Sequence, residues 1–169
     1  MKNIKSILFV CLGNICRSPL AEGIAREIIK KYALDLRVDS AGTSGWHIDE
    51  MPCAGSRHIA KKHGFSIDDL RGRRISVYSD NTFDLLIALD SSNQCDLLRL
   101  GFEKSKIKKL GDFGLKGADI PDPYAYKDEE GFERIYQMLE ICVSKLLAIH
   151  YPMIESHQQK ASKDNNANP

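Results

Sequence analysis

One segment near the start of the chain does most to limit its fold. Ser6-Ile-Leu-Phe-Val10 is a short run dominated by apolar residues, the pattern of a strand buried on both faces. It breaks at Cys11-Leu-Gly-Asn-Ile-Cys-Arg-Ser18. Pro19 follows where a first helical residue belongs, with Ser18 placed to cap the helix. Leu20, Ala21, Ile24, Ile28 and Tyr32 then recur at helical spacing. Strand, tight loop and helix in direct succession open a βα unit, which points to a parallel sheet.

The remainder repeats the alternation. Leu36 to Ser40 has the pattern of a second strand, ending at Ala41-Gly42, and a helix is expected from Pro52 to His63, stopped by Gly64. His63 is expected as a residue of that helix's C-terminus. Phe83 to Leu89 forms a strongly apolar third strand, and Ser91 or Ser92 is placed to cap a short helix ending near Gly101. Ile107 to Leu110 gives a weaker fourth strand. A loop rich in Gly, Asp and Pro runs from Gly111 to Asp128. Phe132, Ile135, Tyr136, Leu139, Cys142, Val143 and Leu146 then make one apolar helical stripe. At 169 residues the chain suits one domain. Residues 1–152 are read as that domain, and 153–169 as a polar, disordered tail. The prediction is an α/β fold with a four-stranded parallel sheet flanked by helices, and with ligands at the carboxyl ends of the strands.

Charge and cysteine usage exclude several classes. Lys and Arg number 24 against 23 Asp and Glu, which lacks the basic excess of a nucleic-acid-coating protein. No apolar run approaches the roughly 20 residues of a membrane span, and Ser6 to Val10 is too short for the core of a secretory signal. A cytoplasmic protein without membrane insertion is expected. The five cysteines are odd in number and scattered, unlike a secreted disulfide framework. Cys142, on the last helical stripe, reads as core, and Cys53 and Cys95 receive the same reading.

The loop after the first strand concentrates chemistry. Cys11 ends the strand. Gly13 and Asn14 tolerate left-handed backbone, which lets successive N–H groups turn inward. The following helix adds its positive end, and Arg17 offers a planar fork matched to phosphate oxygens. Together they form an anion cradle with sulfur at its floor, and the same field favours the thiolate, the nucleophilic form. No G-x-x-x-x-G-K-[ST] string occurs. Cys11 and Cys16 lack the two-residue gap of a zinc ligand pair, so neither metal nor cofactor is expected. Expelling an alkoxide or phenolate calls for a proton donor. Asp119 and Asp122 in the Gly111–Asp128 loop both qualify, with Pro121 and Pro123 stiffening the backbone around Asp122.

The string Val10-Cys-Leu-Gly-Asn-Ile-Cys-Arg-Ser-Pro19 resembles the signature of the low-molecular-weight protein-tyrosine phosphatases. So do Asp39-Ser-Ala-Gly-Thr-Ser-Gly-Trp46, Asp90-Ser-Ser-Asn93 and Asp122-Pro-Tyr124. The resemblance implies a four-stranded, flavodoxin-like sheet and hydrolysis of phosphotyrosine through a phosphocysteine. It assigns Cys11 as nucleophile and Arg17 as the phosphate-binding cation. Leu12, Gly13, Asn14, Ile15 and Cys16 form the phosphate-binding loop. Ser18 would donate to the sulfur, and Asn14 would hold the loop with help from Ser40. Asp122 becomes the general acid and then the base, while Trp46 and Tyr124 become the walls around a phosphorylated ring. Two readings stand for Cys16: a disulfide partner of Cys11 under peroxide, as the resemblance implies, or a packed apolar residue.

Substrate and departures follow from the same comparison. Related phosphoarginine phosphatases carry Thr where this loop has Ile15. An apolar residue suits an aromatic ring and offers no hydroxyl to a guanidinium-linked phosphate, which favours phosphotyrosine. The expected partners are tyrosine-phosphorylated proteins, a tyrosine kinase among them. Ala125 separates Tyr124 from Tyr126 where many relatives have adjacent tyrosines, and no His occurs from Phe65 to Arg74 to support the loop serine. Arsenate reductases share the fold and cradle. The thioredoxin-coupled ones need a close cysteine pair past mid-chain, where only Cys95 stands. A non-catalytic phosphate-binding module would need the cradle, but not both Cys11 and Asp122.

Overall fold

The computed structural model describes residues 3–123, 128–156 and 160. β1 (Ser6–Cys11), β2 (Arg37–Gly42), β3 (Leu85–Ala88) and β4 (Ile107–Lys109) form one parallel sheet in the order β2-β1-β3-β4. Around it lie α1 (Arg17–Tyr32), α2 (Ala54–Lys62), the short α3 (Val77–Asp80), α4 (Ser91–Arg99) and α5 (Glu129–His150). This is the flavodoxin-like, three-layer arrangement expected.

β1 explains its own composition. It is central and buried along its length. Its alternate residues feed two cores. Ile7, Phe9 and Cys11 join Leu20, Ile24, Ile59, Ile135, Leu139 and Val143 in one; Leu8 and Val10 join Leu86, Leu97, Phe102 and Ile107 in the other. Past Ser6, whose hydroxyl is bonded to Asp84, a strand buried on both sides favours apolar side chains at every position, so periodicity disappears and a continuous run remains. α5 shows the opposite signature. Its predicted stripe from Phe132 to Leu146 is buried from Ile135 onward, with Phe132 half-buried, and its other side is wet.

The order of the strands places the site. The chain leaves β1 toward β2 and later returns to β3 on the other side, so the connections diverge at the carboxyl ends of β1 and β3. Such a switch point leaves a crevice. Register puts Cys11 beside Gly42 and Val10 beside Ala88, so the loops after all three strands meet there.

Several expectations are corrected. Ser18 does not cap α1: Cys16 occupies the N-cap position, and Ser18 lies in the first turn with its side chain turned to Cys11. Neither Ser91 nor Ser92 caps α4; Asp90 does, accepting the Asn93 N–H at 2.7 Å. Cys95 is exposed rather than core. Cys53 is not an isolated apolar residue but is bonded to Cys16. Ile154, assigned to the tail, is 3% exposed and packs in the larger core, so the domain reaches past residue 152. Among the described residues, no helix is long and apolar enough to cross a membrane.

Candidate active site

The loop from Cys11 to Arg17 is strapped from outside through its carbonyls. Thr43 N–H donates to Cys11 O and Ser44 N–H to Leu12 O, both at 2.9 Å. Cys53 N–H donates to Ile15 O at 2.7 Å, and Ser56 Oγ to Cys16 O at 2.9 Å. A trans peptide points its N–H opposite to its C=O. With these four carbonyls held outward, the N–H groups of residues 12, 13, 16 and 17 point to the other, concave side. The close approach of β2 depends on Gly42. A Cβ there would lie 2.8 Å from Leu12 O and 3.1 Å from Asn14 N.

Asn14 sets the turn. Its φ is +53°, while Gly13 stays out of the left-handed region, so of the expected Gly-Asn pair only the asparagine takes it. The Arg73 N–H donates to Asn14 Oδ1 at 2.9 Å, which fixes the orientation of the amide. Nδ2 then donates to Ser18 Oγ at 2.8 Å and to Ser40 Oγ at 2.9 Å. Behind Ser40 stands Glu22, 4% exposed. Burial pushes the Glu22 carboxyl up to about 7, against the lowering effect of the Ser40 hydrogen bond.

Cys11 Sγ lies at the bottom of this loop. The residue is 2% exposed, and its sulfur is 3.0 Å from Ser18 Oγ and receives the Asn14 N–H at 3.2 Å. Ser18 Oγ already accepts from Asn14, so its own hydrogen is available to an ionised sulfur.

Arg17 opens α1 and is 4% exposed. Its Nη1 donates to Asp90 Oδ2 at 2.6 Å and to Ile120 O at 3.0 Å, and its Nη2 is 3.8 Å from Asp122 Oδ2. The segment carrying Asp122 is brought there by the Ile120 N–H bond to Leu89 O, 3.0 Å, at the end of β3. The two candidate acids are thereby separated. Asp119 accepts from Ser91 N–H, Ser91 Oγ and Lys109 Nζ at 2.8–3.1 Å. Burial opposes its ionisation, but the Ser91 and Lys109 bonds outweigh burial and hold it below the usual carboxylate value, and those bonds turn its carboxylate to Ser91 and Lys109. Asp122, half-exposed, faces Arg17 across the crevice.

Trp46 is 70% exposed in the loop after β2, two residues beyond the Ser44 strap on Leu12. Tyr124 lies outside the described residues. Cys16 pairs with Cys53, which matches neither of its two sequence readings, a bond to Cys11 or a packed apolar residue. His63 caps the end of α2, with Nε2 2.9 Å from Glu133 and its ring stacked 3.7 Å from Tyr136. The sequence has no histidine from Phe65 to Arg74 to support the loop serine, and the buried Glu22 stands behind Ser40. Sequence reasoning missed Glu22, Arg73 and the clamping role of Asp90. Only Asp90, directly after an apolar strand and before a helix, carries a local signal. Among the described residues, no group of three His, Cys, Asp or Glu side chains converges as metal ligands would.

The comparisons with known proteins agree with this geometry. The family model described as "Low molecular weight phosphotyrosine protein phosphatase" matches residues 6–162. The low molecular weight protein-tyrosine-phosphatase YfkJ of Bacillus subtilis is 41% identical over 149 residues, covering 85% of this chain and 94% of that protein. Its crystal structure superposes with a TM-score of 0.82 at 37% identity, over 90% of this chain and 98% of that one. The Homo sapiens low molecular weight phosphotyrosine protein phosphatase is 39% identical over 150 residues, covering 85% of this chain and 94% of that protein. The crystal structure of DARP, a Drosophila arginine phosphatase, matches with a TM-score of 0.77 at 34% identity, over 86% of this chain and 96% of that one. With the family model spanning nearly the whole domain and the sulfur, guanidinium and carboxylate gathered at one crevice, the chain belongs to the low molecular weight phosphotyrosine protein phosphatase family.

Proposed function

We propose that this phosphatase hydrolyses phosphotyrosine in proteins, and small aryl phosphates, in two steps through a phosphocysteine on Cys11. The observation that carries the reading is the convergence of Cys11 Sγ, the buried Arg17 guanidinium and the Asp122 carboxyl on one crevice. The phosphoryl oxygens enter the concave side of the loop, where the N–H groups and Arg17 match the charge that spreads over them in the transition state. The Cys11 thiolate attacks phosphorus in line. Asp122, protonated, delivers its proton to the departing phenolate. In the second step the same carboxylate takes a proton from water, and water displaces sulfur. Ser18 then donates to the leaving thiolate, so one hydroxyl serves both the resting and the departing sulfur. Each element is fixed before substrate arrives: Asn14, Ser40 and Arg73 hold the loop, and Asp90 and Ile120 hold the cation.

Trp46 and Tyr124 are assigned to flank the ring. Ile15 supports the choice of phosphotyrosine over phosphoarginine, because an apolar side chain at the rim contacts a ring and supplies no hydroxyl to a guanidinium group. The DARP structure keeps the second substrate in view, since it shares the fold. The assigned partners are tyrosine-phosphorylated proteins, a tyrosine kinase among them, and the assigned site of action is the cytoplasm. Turnover of phosphotyrosine, phosphoserine and phosphoarginine peptides, with Cys11→Ser as control, tests the reading. Preference for phosphotyrosine with no turnover by the variant supports it. Preference for phosphoarginine overturns the substrate, and full activity of the variant overturns the mechanism.

A further inference from the structure

The phosphate loop carries a second sulfur, and its partner is not the first. Cys16 stands at the N-cap position of α1 and Cys53 at that of α2. The two are joined as a disulfide, with Cα atoms 5.3 Å apart, a separation that bridges without backbone movement. Bonds that do not involve sulfur hold the two backbones together: Cys53 N–H to Ile15 O, and Ser56 Oγ to Cys16 O. The two side chains therefore stay opposed when the bond is open. Both residues are partly exposed, so small thiols and disulfides reach them. Each begins a helix, of 16 and 9 residues, whose positive end favours the thiolate, the reactive form. Cys11 differs in access. It is 2% exposed, and its sulfur is engaged by Ser18 and Asn14.

We propose that Cys16 and Cys53 form a reversible dithiol–disulfide couple, a modification site distinct from the reacting sulfur, that takes up oxidising equivalents from low-molecular-weight disulfides while Cys11 remains a thiol. The Cys16 thiolate attacks one sulfur of a small disulfide such as glutathione disulfide. That S–S bond breaks, and one small thiolate leaves. The Cys53 thiolate then attacks the Cys16 sulfur, and the second small thiolate leaves. The protein pair gives up two electrons and two protons; the small disulfide gains both and becomes two thiols. Excess dithiol drives the reverse. Closure joins backbones that hydrogen bonds already hold together, so the loop keeps its shape and turnover survives.

The activity readout rests on the phosphatase reading; the mapping of the bond does not. Fully reduced protein is treated with glutathione disulfide, quenched in acid, alkylated and mapped by mass spectrometry, with aryl phosphate turnover measured in parallel. The expected result is a link between the Cys16 and Cys53 peptides, alkylated Cys11, and turnover within about twofold of the reduced protein. Cys53→Ser, which keeps the backbone N–H that donates to Ile15 O, should accumulate glutathione as a mixed disulfide on Cys16, because the second attacker is gone. A Cys11–Cys16 link in the oxidised parent, or Cys16 and Cys53 both recovered as free thiols, overturns the proposal. If the variant does not fold, the parent map decides alone. Inactivity of the reduced parent would count against the phosphatase reading, and the mapped bond would still decide the couple.

Discussion

Asp90 holds Arg17 with one carboxylate oxygen, at 2.6 Å, and with the other closes the first turn of α4 on the Asn93 N–H, at 2.7 Å. The start of a helix and the cation of the site therefore share one residue. The pair is largely shielded, with side-chain exposures of 4% for Arg17 and 18% for Asp90. Its two tasks can be separated by substitution.

Asparagine caps a helix about as well as aspartate, so Asp90→Asn should keep α4 and lose only the charge facing Arg17. Its kcat/KM for aryl phosphates should fall by about one to two orders of magnitude, the scale of a lost charge-assisted hydrogen bond. Asp90→Ala should also lose about 0.5–2 kcal/mol of capping and leave the guanidinium uncompensated. It should therefore melt well below Asp90→Asn. Unchanged kinetics in Asp90→Asn would show that Arg17 needs no anchor.

Asp122→Asn should slow hydrolysis by about 100- to 10,000-fold for phenols of ordinary basicity, the usual contribution of a general acid. Esters with very acidic leaving groups should lose much less, because they depart without a proton. A series of substituted aryl phosphates measures this directly, and equal slowing across it would remove Asp122 from the role. Asp119→Asn should have little effect on the series, since Ser91 and Lys109 already occupy that carboxylate.

Asn14→Ala should keep a β-carbon at φ +53° without the side-chain amide that makes asparagine tolerant of that conformation, and should remove the partner of the Arg73 N–H. The strain alone is about 1–2 kcal/mol. Asn14→Gly relieves the strain but not the lost bonds. The glycine variant should therefore melt higher than the alanine one, while both bind inorganic phosphate more weakly than the parent. Equal melting temperatures would show that the left-handed turn costs nothing here.

Glu22 makes stability depend on pH. The unfolded glutamate loses its proton near 4.5, and the folded one near about 7 because burial disfavours the carboxylate. Between those values the folded chain binds the additional proton, so rising pH weakens the fold, by on the order of 3 kcal/mol once pH exceeds about 7. Glu22→Gln should remove this slope and raise the melting temperature above neutrality. A parent whose melting temperature is flat across that interval would contradict the burial argument.

What the sequence disclosed about the site was whatever lies close along the chain. Cys11 and Arg17 sit in one short loop between a strand and a helix, and backbone connectivity alone puts sulfur and guanidinium near each other. The apolar run of β1 and the stripe of α5 were legible because each buries a regular set of positions. Arg73 and Glu22 were not: Arg73 reaches the loop from 59 residues away, and nothing local distinguishes a glutamate of α1 facing inward from one facing water. Ser18 shows how local rules mislead. A serine before proline reads as a cap, but Asn14 and Cys11 compete for its hydroxyl and win. Cys53 shows the same limit over distance, since 37 residues separate it from Cys16.

The central claim is that phosphate passes through the sulfur of Cys11. Acid quenching during steady-state turnover of an aryl phosphate, followed by mass spectrometry of the Cys11 peptide, measures it most directly. The account predicts a phosphoryl group on Cys11, accumulating further in Asp122→Ala with an acidic leaving group, where the second step lacks its base. An unmodified Cys11 peptide during full turnover, or phosphate trapped on another side chain, would contradict it.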